Sequence, residues 1–322
     1  GGNGGGTGGG GGGGRGGGGG GGGAGGGGGA GAGSPNMKVF VGSYVGDGLD
    51  DRSITGIGFL PDFVLIRGIY ILATAVIRTS SMVGDVSKLL VGTGAAGANS
   101  IQSLTNDGFT VGTSTHVNTL TQCYQFIAIK GGTNNFKSTS YTGNGVDDRT
   151  ITGAGFQPDL AIVLPDSTTA CVWRGVDHAA GSSQRFYAGT QADMIQALTA
   201  DGIQVGTSTR VNGNGLLYHV IYAKKMNNVF NTLGYTGNAA DDREITGVGF
   251  QPDFAATQSA AGQTHLIIKT KDMVGDTSIN MDGAVEAAND IQALSADGMQ
   301  IGTGANVNAV DTYVTWFFKA NV

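Results

Sequence analysis

Two adjacent aspartates followed by an arginine occur three times in this chain, and they are the residues best suited to chemistry. The doublets are Asp50-Asp51, Asp147-Asp148 and Asp241-Asp242. Paired carboxylates beside turn carbonyls could hold calcium, a hard cation that takes six to eight oxygen ligands. The next residue (Arg52, Arg149 or Arg243) already supplies a cation. The favoured interpretation is therefore that the second Asp of each doublet braces a turn and pairs with that Arg, with calcium as the alternative.

The other polar residues lack the spacing of a catalytic or metal site. The four histidines (His116, His178, His219 and His265) stand at no metal-ligand spacing. Ser80-Ser81 and Ser182-Ser183 lack a His and an Asp in repeated order, so nucleophilic catalysis has no support. Doublets in repeated turns also fit poorly with the paired acids of a glycosidase. The sequence predicts a protein that is not an enzyme and has no cofactor other than the alternative calcium.

The doublets belong to a longer unit that is written three times at offsets of 97 and 94 residues. The repeated residues run from Tyr44 to Asp62, from Tyr141 to Asp159 and from Tyr235 to Asp253. A second block, Ile101 to Asn118, recurs with them at Ile195 to Asn212 and Ile291 to Asn308. Each copy is long enough to be a domain with its own core. We predict a glycine-rich arm at 1–36 and modules at 37–131, 132–226 and 227–322.

Each module reads as seven or eight short strands with turn signals between them. In the second module, for example, Leu160 to Leu164 is a continuous apolar run typical of a buried strand. This spacing predicts an all-β fold of three tandem antiparallel β-sandwich or jelly-roll-like modules. Aromatic residues that repeat are expected in the cores (Tyr44, Tyr141, Tyr235, Phe59, Phe156 and Phe250). Short junctions predict modules that pack in series, as a rigid rod or a compact cluster.

The middle of each module is where the three copies diverge. The distance from the repeated Phe to the repeated Ile is 42, 39 and 41 residues in the three copies. Variable segments on a fixed scaffold are where specific binding is usually placed. Three aromatic residues in these segments are therefore candidates for contact with a sugar: Tyr70, Trp173 and Tyr187.

Composition excludes several classes of protein. Charged residues are 13% of the chain and the net charge is −6, with no concentrated basic face to bind nucleic acid. The most apolar stretch, Phe63 to Ile77, is interrupted by Arg67 and Gly68, so no membrane insertion is expected. Cys123 and Cys171 stand at unrelated module positions, which predicts two buried free thiols. The chain starts at Gly1 without Met, which indicates a processed product or a sequence trimmed at its start.

Residues 1–33 contain 27 glycines. One interpretation is a flexible tether, because Gly loses the most backbone entropy on ordering. The other is an extended polyglycine arm of the polyproline-II type, which has three residues per turn and outward-facing backbone groups. Four of the six interruptions fall on multiples of three, which favours an arm that packs against copies of itself. The residues assigned to assembly are Gly1, Asn3, Thr7, Arg15, Ala24 and Ala30.

At this point the repeated residues resemble a known family. The strings Tyr141-Thr142-Gly143-Asn144-Gly145, Gly155-Phe156-Gln157-Pro158-Asp159 and Ala200-Asp201-Gly202 resemble repeat modules of tailed-phage virion proteins of the tail or fibre type. The first module departs from the pattern with Leu60 in place of Gln, and the third with Ala239-Ala240. The resemblance implies a structural role without catalytic residues.

The sequence therefore predicts a non-enzymatic structural protein of an extracellular or virion assembly, such as a phage fibre or decoration protein. Its expected partners are copies of itself and other virion or appendage proteins. Two alternatives stay open. One is an adhesin that binds a receptor or a host-surface glycan through the variable segments. The other is the subunit of a self-polymerising cell-surface filament.

Overall fold

The computed structural model describes residues 1–2, 4–6, 8–9, 36–91, 97–260, 265–283 and 287–322. The chain divides into two compact units, Gly1–Ala32 and Gly33–Val322. Within the described part of the second unit, the secondary structure consists of antiparallel strands and two four-residue helices. No helix among the described residues is long and apolar enough to cross a membrane. The predicted all-β, antiparallel sandwich fold is confirmed.

The first module contains eight strands and one helix. They are β1 (Lys38–Val45), β2 (Arg52–Ile54), β3 (Phe63–Gly68), β4 (Val76–Thr79), β5 (Lys88–Leu89), β6 (Ile101–Thr105), β7 (Gly108–Val111), α1 (Thr115–Asn118) and β8 (Cys123–Lys130). A large sheet has the strand order β1-β8-β3-β4-β5, and a small sheet has the order β2-β7-β6. All of the pairs are antiparallel.

The second and third modules repeat this plan with one more strand in the large sheet. The second comprises β9 (Phe136–Thr142), β10 (Arg149–Thr152), β11 (Leu160–Pro165), β12 (Val172–Gly175), β13 (Ser183–Arg185), β14 (Ala188–Gln191), β15 (Ile195–Thr199), β16 (Gly202–Val205) and β17 (Leu217–Ala223). The third comprises β18 (Phe230–Thr236), β19 (Arg243–Thr246), β20 (Phe254–Ser259), β21 (Ile267–Thr270), β22 (Thr277–Asn280), β23 (Ala287–Ala288), β24 (Ile291–Ser295), β25 (Gly298–Ile301), α2 (Ala305–Asn308) and β26 (Thr312–Phe318). Their large sheets are β14-β13-β12-β11-β17-β9 and β18-β26-β20-β21-β22-β23; their small sheets are β10-β16-β15 and β19-β25-β24.

The central strands of each large sheet are apolar on both faces. In β11, Ala161 and Val163 pack towards the small sheet of their own module. Leu160, Ile162 and Leu164 point the other way, into a second core. Successive side chains of a strand alternate between its two faces, so a continuous apolar run means that both faces are covered. The run predicted as a buried strand is therefore explained by two different cores.

The second core is shared by the three modules. Its members come from all three large sheets, among them Phe63, Leu65, Trp173, Phe254 and Trp316. Each module has in addition a core of its own between its large and small sheets. The expectation of a domain with its own core thus describes only half of each module. The small sheet covers one face of the large sheet, and the other two modules cover the second face.

Backbone hydrogen bonds join the large sheets at three equivalent joints. Ala75, Cys171 and Leu266 immediately precede the fourth strand of their sheets. Their backbone amides donate across module boundaries, Ala75 to Met281 O (2.8 Å), Cys171 to Leu90 O (3.4 Å) and Leu266 to Phe186 O (3.3 Å). Each acceptor immediately follows the next strand of its own sheet. The two segments that each module contributes belong to neighbouring paired strands, so the three bonds close the six segments into a ring. The six side chains at the joints are fully buried in the shared core.

The side chains around the joints differ from one module boundary to the next. Arg67 Nε donates to Asn280 O (2.7 Å) between modules one and three. At the equivalent place between modules three and two, Gln258 Nε2 donates to Arg185 O (2.9 Å). Leu164 holds that position in module two and has no donor to offer. The three boundaries therefore share a backbone arrangement and use different side chains to fix it.

The chain closes on itself through its last residues. The side-chain oxygen of Asn321 accepts the Val39 amide (2.7 Å), and its amide nitrogen donates to Met37 O (2.8 Å). The backbone of Asn321 also donates to Val39 O (3.1 Å). At the other two boundaries a covalent linker, residues 131–135 or 224–229, continues from one large sheet into the next. The boundary between the first and third modules is thus held without a covalent connection.

The two cysteines are free thiols, as predicted. Cys171 is fully buried at a joint, and burial raises the pKa of its thiol to about 12. Cys123 is only partly buried, which differs from the expectation that both are core residues. Its position at the start of β8, beside the turn that leads into the strand, accounts for this exposure.

The first unit is described at seven glycines. Gly1 is one of them, whereas Asn3, Thr7, Arg15, Ala24 and Ala30 lie outside the described residues. The φ angles of Gly2, Gly4, Gly5, Gly6, Gly8 and Gly9 lie between +100° and +135°. The predicted polyproline-II arm has φ near −75°, so these glycines have the opposite sign of φ. A chain without Cβ atoms has no preference for one hand, and only the sequence pattern of other residues could have fixed it.

An isolated third module tests the shared core. We expect residues 227–322 alone to lack a cooperative thermal transition, because Phe254, Ile268, Trp316 and Phe318 would face water. Each such side chain contributes about 1.5–3 kcal/mol when buried, and the loss of four is comparable with the roughly 5–15 kcal/mol stability of a whole domain. The measurement is tryptophan fluorescence during heating, which reports Trp316 alone in the fragment and both Trp173 and Trp316 in the whole chain, the control. A blue-shifted emission and a sharp transition in the fragment would contradict the shared core.

Candidate functional site

The aspartate doublets lie in the turn that connects the first two strands of each module. Asp50 Oδ1 accepts the backbone N–H of Asp51 (3.0 Å) and a hydrogen bond from Gln102 Nε2 (2.9 Å). The equivalent bonds recur in the other modules, at Asp147 with Asp148 and Gln196, and at Asp241 with Asp242 and Gln292. The second Asp has a left-handed φ of 52° to 54° in each copy. The first Asp, rather than the second, therefore braces the turn.

The arginine after each doublet points back into the turn. Arg52 donates from its guanidinium to Val45 O and to Asn118 Oδ1, and it lies over the ring of Tyr44 (5.2 Å to the centroid). Arg149 and Arg243 make the same three contacts in their modules. The predicted pairing of the second Asp with this Arg is wrong. Among the described residues, the ion pair of Arg52 is with Asp47 (3.3 Å), a position that is Asn144 or Asn238 in the other copies.

A buried asparagine organises each of these turns. Asn118 is fully buried, its Oδ1 accepts the Asp47 amide (3.0 Å), and its Nδ2 donates to Leu49 O (2.8 Å). Asn212 and Asn308 repeat the arrangement. This asparagine was not among the residues predicted to be functional. The signal was present, because the asparagine ends the second repeated block in all three copies.

A third repeated carboxylate holds the glycine turn before the third strand. Asp107 accepts the backbone N–H groups of Gly56 (3.0 Å) and Gly58 (2.7 Å). Asp201 and Asp297 bind the equivalent pairs, Gly153 with Gly155 and Gly247 with Gly249. These backbone hydrogen bonds lower the pKa of all three aspartates. The repeated Asp-Gly pair is thus a structural clamp on an exposed turn.

These turns do not fit calcium. The first Asp of each doublet already accepts from a backbone amide and a glutamine amide, both donors that a cation would have to displace. The described residues contain no group of three or more His, Cys, Asp or Glu side chains placed to hold a metal ion. Calcium needs six to eight oxygens, so two neighbouring carboxylates alone are not enough. Calcium at the doublets therefore gains no support from their geometry.

Asp290 is a carboxyl group that distinguishes the third module. It is fully buried, its Oδ1 has no hydrogen-bond partner, and burial raises its pKa to about 6. A Cβ on Gly304 would lie 1.8 Å from that oxygen. The residues equivalent to Gly304 are Ser114 and Ser208, and those equivalent to Asp290 are Ser100 and Met194. In the third module a glycine replaces this serine and leaves room for the carboxyl group of Asp290. This exchange indicates an adjustment of packing rather than a binding site.

Of the three aromatic candidates for ligand contact, one is wrong. Trp173 is fully buried, and its indole N–H donates to Gln258 Oε1 (2.9 Å) across a module boundary. It packs beside Trp316 in the shared core (6.3 Å between ring centroids). Tyr70 and Tyr187 are 76% and 54% exposed. Their contact with a sugar stays a prediction.

The divergent segments of the three modules meet at the joints. Tyr187 follows Phe186 of module two, and its ring lies 5.9 Å from the ring of His265 in module three. His265 Nδ1 lies 2.6 Å from Asp282 Oδ2. Beside Asp282, a Cβ on Gly283 would lie 3.2 Å from the backbone of Ala73 in module one. Residues that are dispersed in the sequence thus share one region, and this region is the best candidate for a binding surface.

The other three histidines have structural surroundings. His178 is buried, its Nδ1 accepts the Gly175 amide (3.0 Å), and Nε2 bonds to Gln184 Oε1 (2.8 Å). Burial lowers its pKa to about 4. His219 Nδ1 contacts Ser81 Oγ (2.8 Å) across a module boundary, and His116 lies in helix α1. These contacts serve turns and module boundaries.

One prediction concerns the turn of the third module. Ala239 has φ 59° at a position where the other modules have Gly48 (φ 72°) and Gly145 (φ 70°). A left-handed φ costs an L-residue about 1–2 kcal/mol, and the added chain entropy of Gly offsets about 0.4–1 kcal/mol. We expect Ala239→Gly to raise the free energy of unfolding by about 0.5–1 kcal/mol in urea titrations. Ala240→Gly, next to it without positive φ, is the control and should not stabilise. Equal effects of both changes would contradict this account.

A second prediction concerns acid. The two hydrogen bonds of His178 require a neutral imidazole. The imidazole has a pKa near 6.5 in the unfolded chain and about 4 in the folded chain. Stability from this group is therefore lost as pH falls from about 6.5 to about 4, by up to about 3 kcal/mol. Asp290 acts in the opposite direction, so the whole-protein profile mixes the two. We expect the stability gap between wild type and His178→Gln to shrink by that amount over this range. A gap that is independent of pH would refute the assignment.

Comparison with known proteins adds one finding. Residues 225–322 match the sequence profile of a family described as a domain of unknown function (DUF7483). The match covers the third repeat, and the description of the family assigns no activity. A search of the curated proteins found no match.

Proposed function

We propose that this protein is a non-enzymatic structural component of an extracellular or virion assembly, of the phage fibre or decoration type. In this proposal the glycine-rich arm at 1–36 joins the protein to copies of itself and to other proteins of the particle. The three modules form a body that holds its shape. The observation that supports the proposal is that the repeated polar side chains form hydrogen bonds that hold the turns of the fold.

The polar side chains that repeat in the three modules are engaged in holding the fold. The repeated Arg, Asn and first Asp all bind turn atoms in each module. The repeated Tyr donates its hydroxyl to a backbone carbonyl, Val117 O in the case of Tyr44 (2.6 Å). Groups that are saturated by internal partners are poor nucleophiles, acids or metal ligands. A body of this kind is suited to mechanical support.

The arm supports the assembly part of the proposal by its energetics. Fixing the backbone of one residue costs about 1–2 kcal/mol, so ordering about thirty residues costs roughly 30 kcal/mol or more. An isolated strand has no hydrogen bonds to offset this cost. Glycine strands from several copies can bond to one another through outward-facing backbone groups. Assembly is therefore the circumstance in which such an arm becomes ordered.

Removing the arm tests this proposal. We expect the full chain to form oligomers or filaments as concentration rises, and a variant that lacks residues 1–33 to stay monomeric. The measurement is molar mass by light scattering after size-exclusion chromatography, with negative-stain micrographs of both samples. The control is a chain of unchanged length in which every second glycine of the arm is serine, which removes the uniform glycine surface and should also stay monomeric.

The opposite results are equally informative. A full chain that is monomeric at all concentrations, alone and with particle components, would overturn the role of the arm. Oligomers that persist in both variants would place self-association in the β modules and would also contradict it.

A further inference from the structure

The residues beside the three joints are equivalent in backbone position and different in type. Tyr187 follows Phe186 of module two, and His265 precedes Leu266 of module three, so both lie beside the joint between these two modules. The equivalent pair between modules one and two is Val91 and Ala170, and between modules three and one it is Asp282 and Thr74. The same cross-module backbone hydrogen bond forms at all three joints, so this bond does not require an aromatic ring or an imidazole beside it. The pair Tyr187 and His265 needs another explanation.

The side chains of Tyr187 and His265 form a partly exposed surface in which the imidazole has a fixed orientation. His265 and Asp282 flank the bonded residues Leu266 and Met281 (Met281 N to Leu266 O, 3.0 Å), and this pairing brings their side chains together. The Asp282 side chain is only 7% exposed, and its Oδ2 lies 2.6 Å from Nδ1 of His265. The imidazole is therefore fixed in orientation, and Nε2 is the ring nitrogen left for a further hydrogen bond. The His265 side chain is 31% exposed beside the half-exposed ring of Tyr187.

The chemistry of this surface points to one class of ligand. Tyr187 offers an apolar ring face with a hydroxyl at its tip, and His265 offers an oriented polar atom at its edge. A pyranose ring has the complementary form, with an apolar C–H face and hydroxyl groups around its rim. Nucleic acid is a poor fit, because module three carries 11 acidic residues against 4 basic ones. We propose that Tyr187 and His265, with Asp282 as a positioning residue, form a saccharide-binding site at the boundary of modules two and three.

This site is separate from the assembly role of the arm. Binding at Tyr187 does not require the protein to polymerise, and polymerisation does not require a sugar. The glycan-binding alternative raised by the sequence thereby gains a specific location. Trp173 lies two residues after Cys171 in the chain. It contributes to the proposed site only by its hydrogen bond to Gln258, which fixes the boundary between modules two and three.

The test uses the full chain on an array of immobilised neutral and acidic oligosaccharides, followed by saturation-transfer NMR with the best-bound soluble tetrasaccharide. We expect Tyr187→Ala and His265→Ala each to weaken binding at least tenfold. Tyr187→Phe keeps the ring face and should stay within about threefold of wild type. Leu120→Ala, which shortens a side chain of module one that is 63% exposed, is the matched control and should bind as wild type.

Folding is checked by the thermal transition of each variant, which should not move because Tyr187 is half-exposed. Absence of binding to every sugar on the array would overturn the proposal. So would binding that is lost with Leu120→Ala and retained with Tyr187→Ala. Neither result would bear on the oligomers measured with and without the arm, so the two proposals can fail independently.

Discussion

Burial of the three inner sheet faces against one another is the constraint on which the β body depends. Each large sheet is apolar on both faces, and its small partner sheet covers only one of them. The hydrophobic effect then requires a cover for the other face, and the other two modules supply it. The backbone bonds at the joints satisfy amides that would otherwise end in an apolar core. Repetition of the module is therefore a condition of its folding.

The differences between the joints determine which module packs beside which. Arg67, Gln258 and Leu164 occupy equivalent places and meet different partners. Three identical boundaries would let the modules exchange places at little cost, whereas distinct donors leave buried groups unpaired in a wrong arrangement. Divergence within the repeat thus serves folding at the boundaries. Beside the joint, where Tyr187 and His265 lie, we propose that divergence serves binding instead.

The sequence was sufficient for the local structure and insufficient for the way the modules meet. Strands such as β11 follow from apolar runs and turn residues, and the repeat itself indicated three sandwiches. The joints did not follow, because Ala75, Cys171 and Leu266 have no common residue type and their partners are distant in the chain. Trp173 and Tyr187 looked alike as aromatics in a divergent segment. Only the strand alternation of β12 and its place under the joint decide that one is core and the other surface. The role of Arg52 was misjudged because a carbonyl acceptor leaves no mark in a sequence.

The bonds of Asn321 to Met37 and Val39 have a consequence for the order of the modules. They replace, without a covalent link, the connection that the other two boundaries make through the chain. All three boundaries of the β body are therefore connected, two of them through the chain and the third through these hydrogen bonds. Joining the two ends by a short linker and opening the chain within 131–135 would give a permuted protein with the same three sheets around the same core. A fold of this kind can acquire a fused domain at any of its three boundaries without a change in its centre.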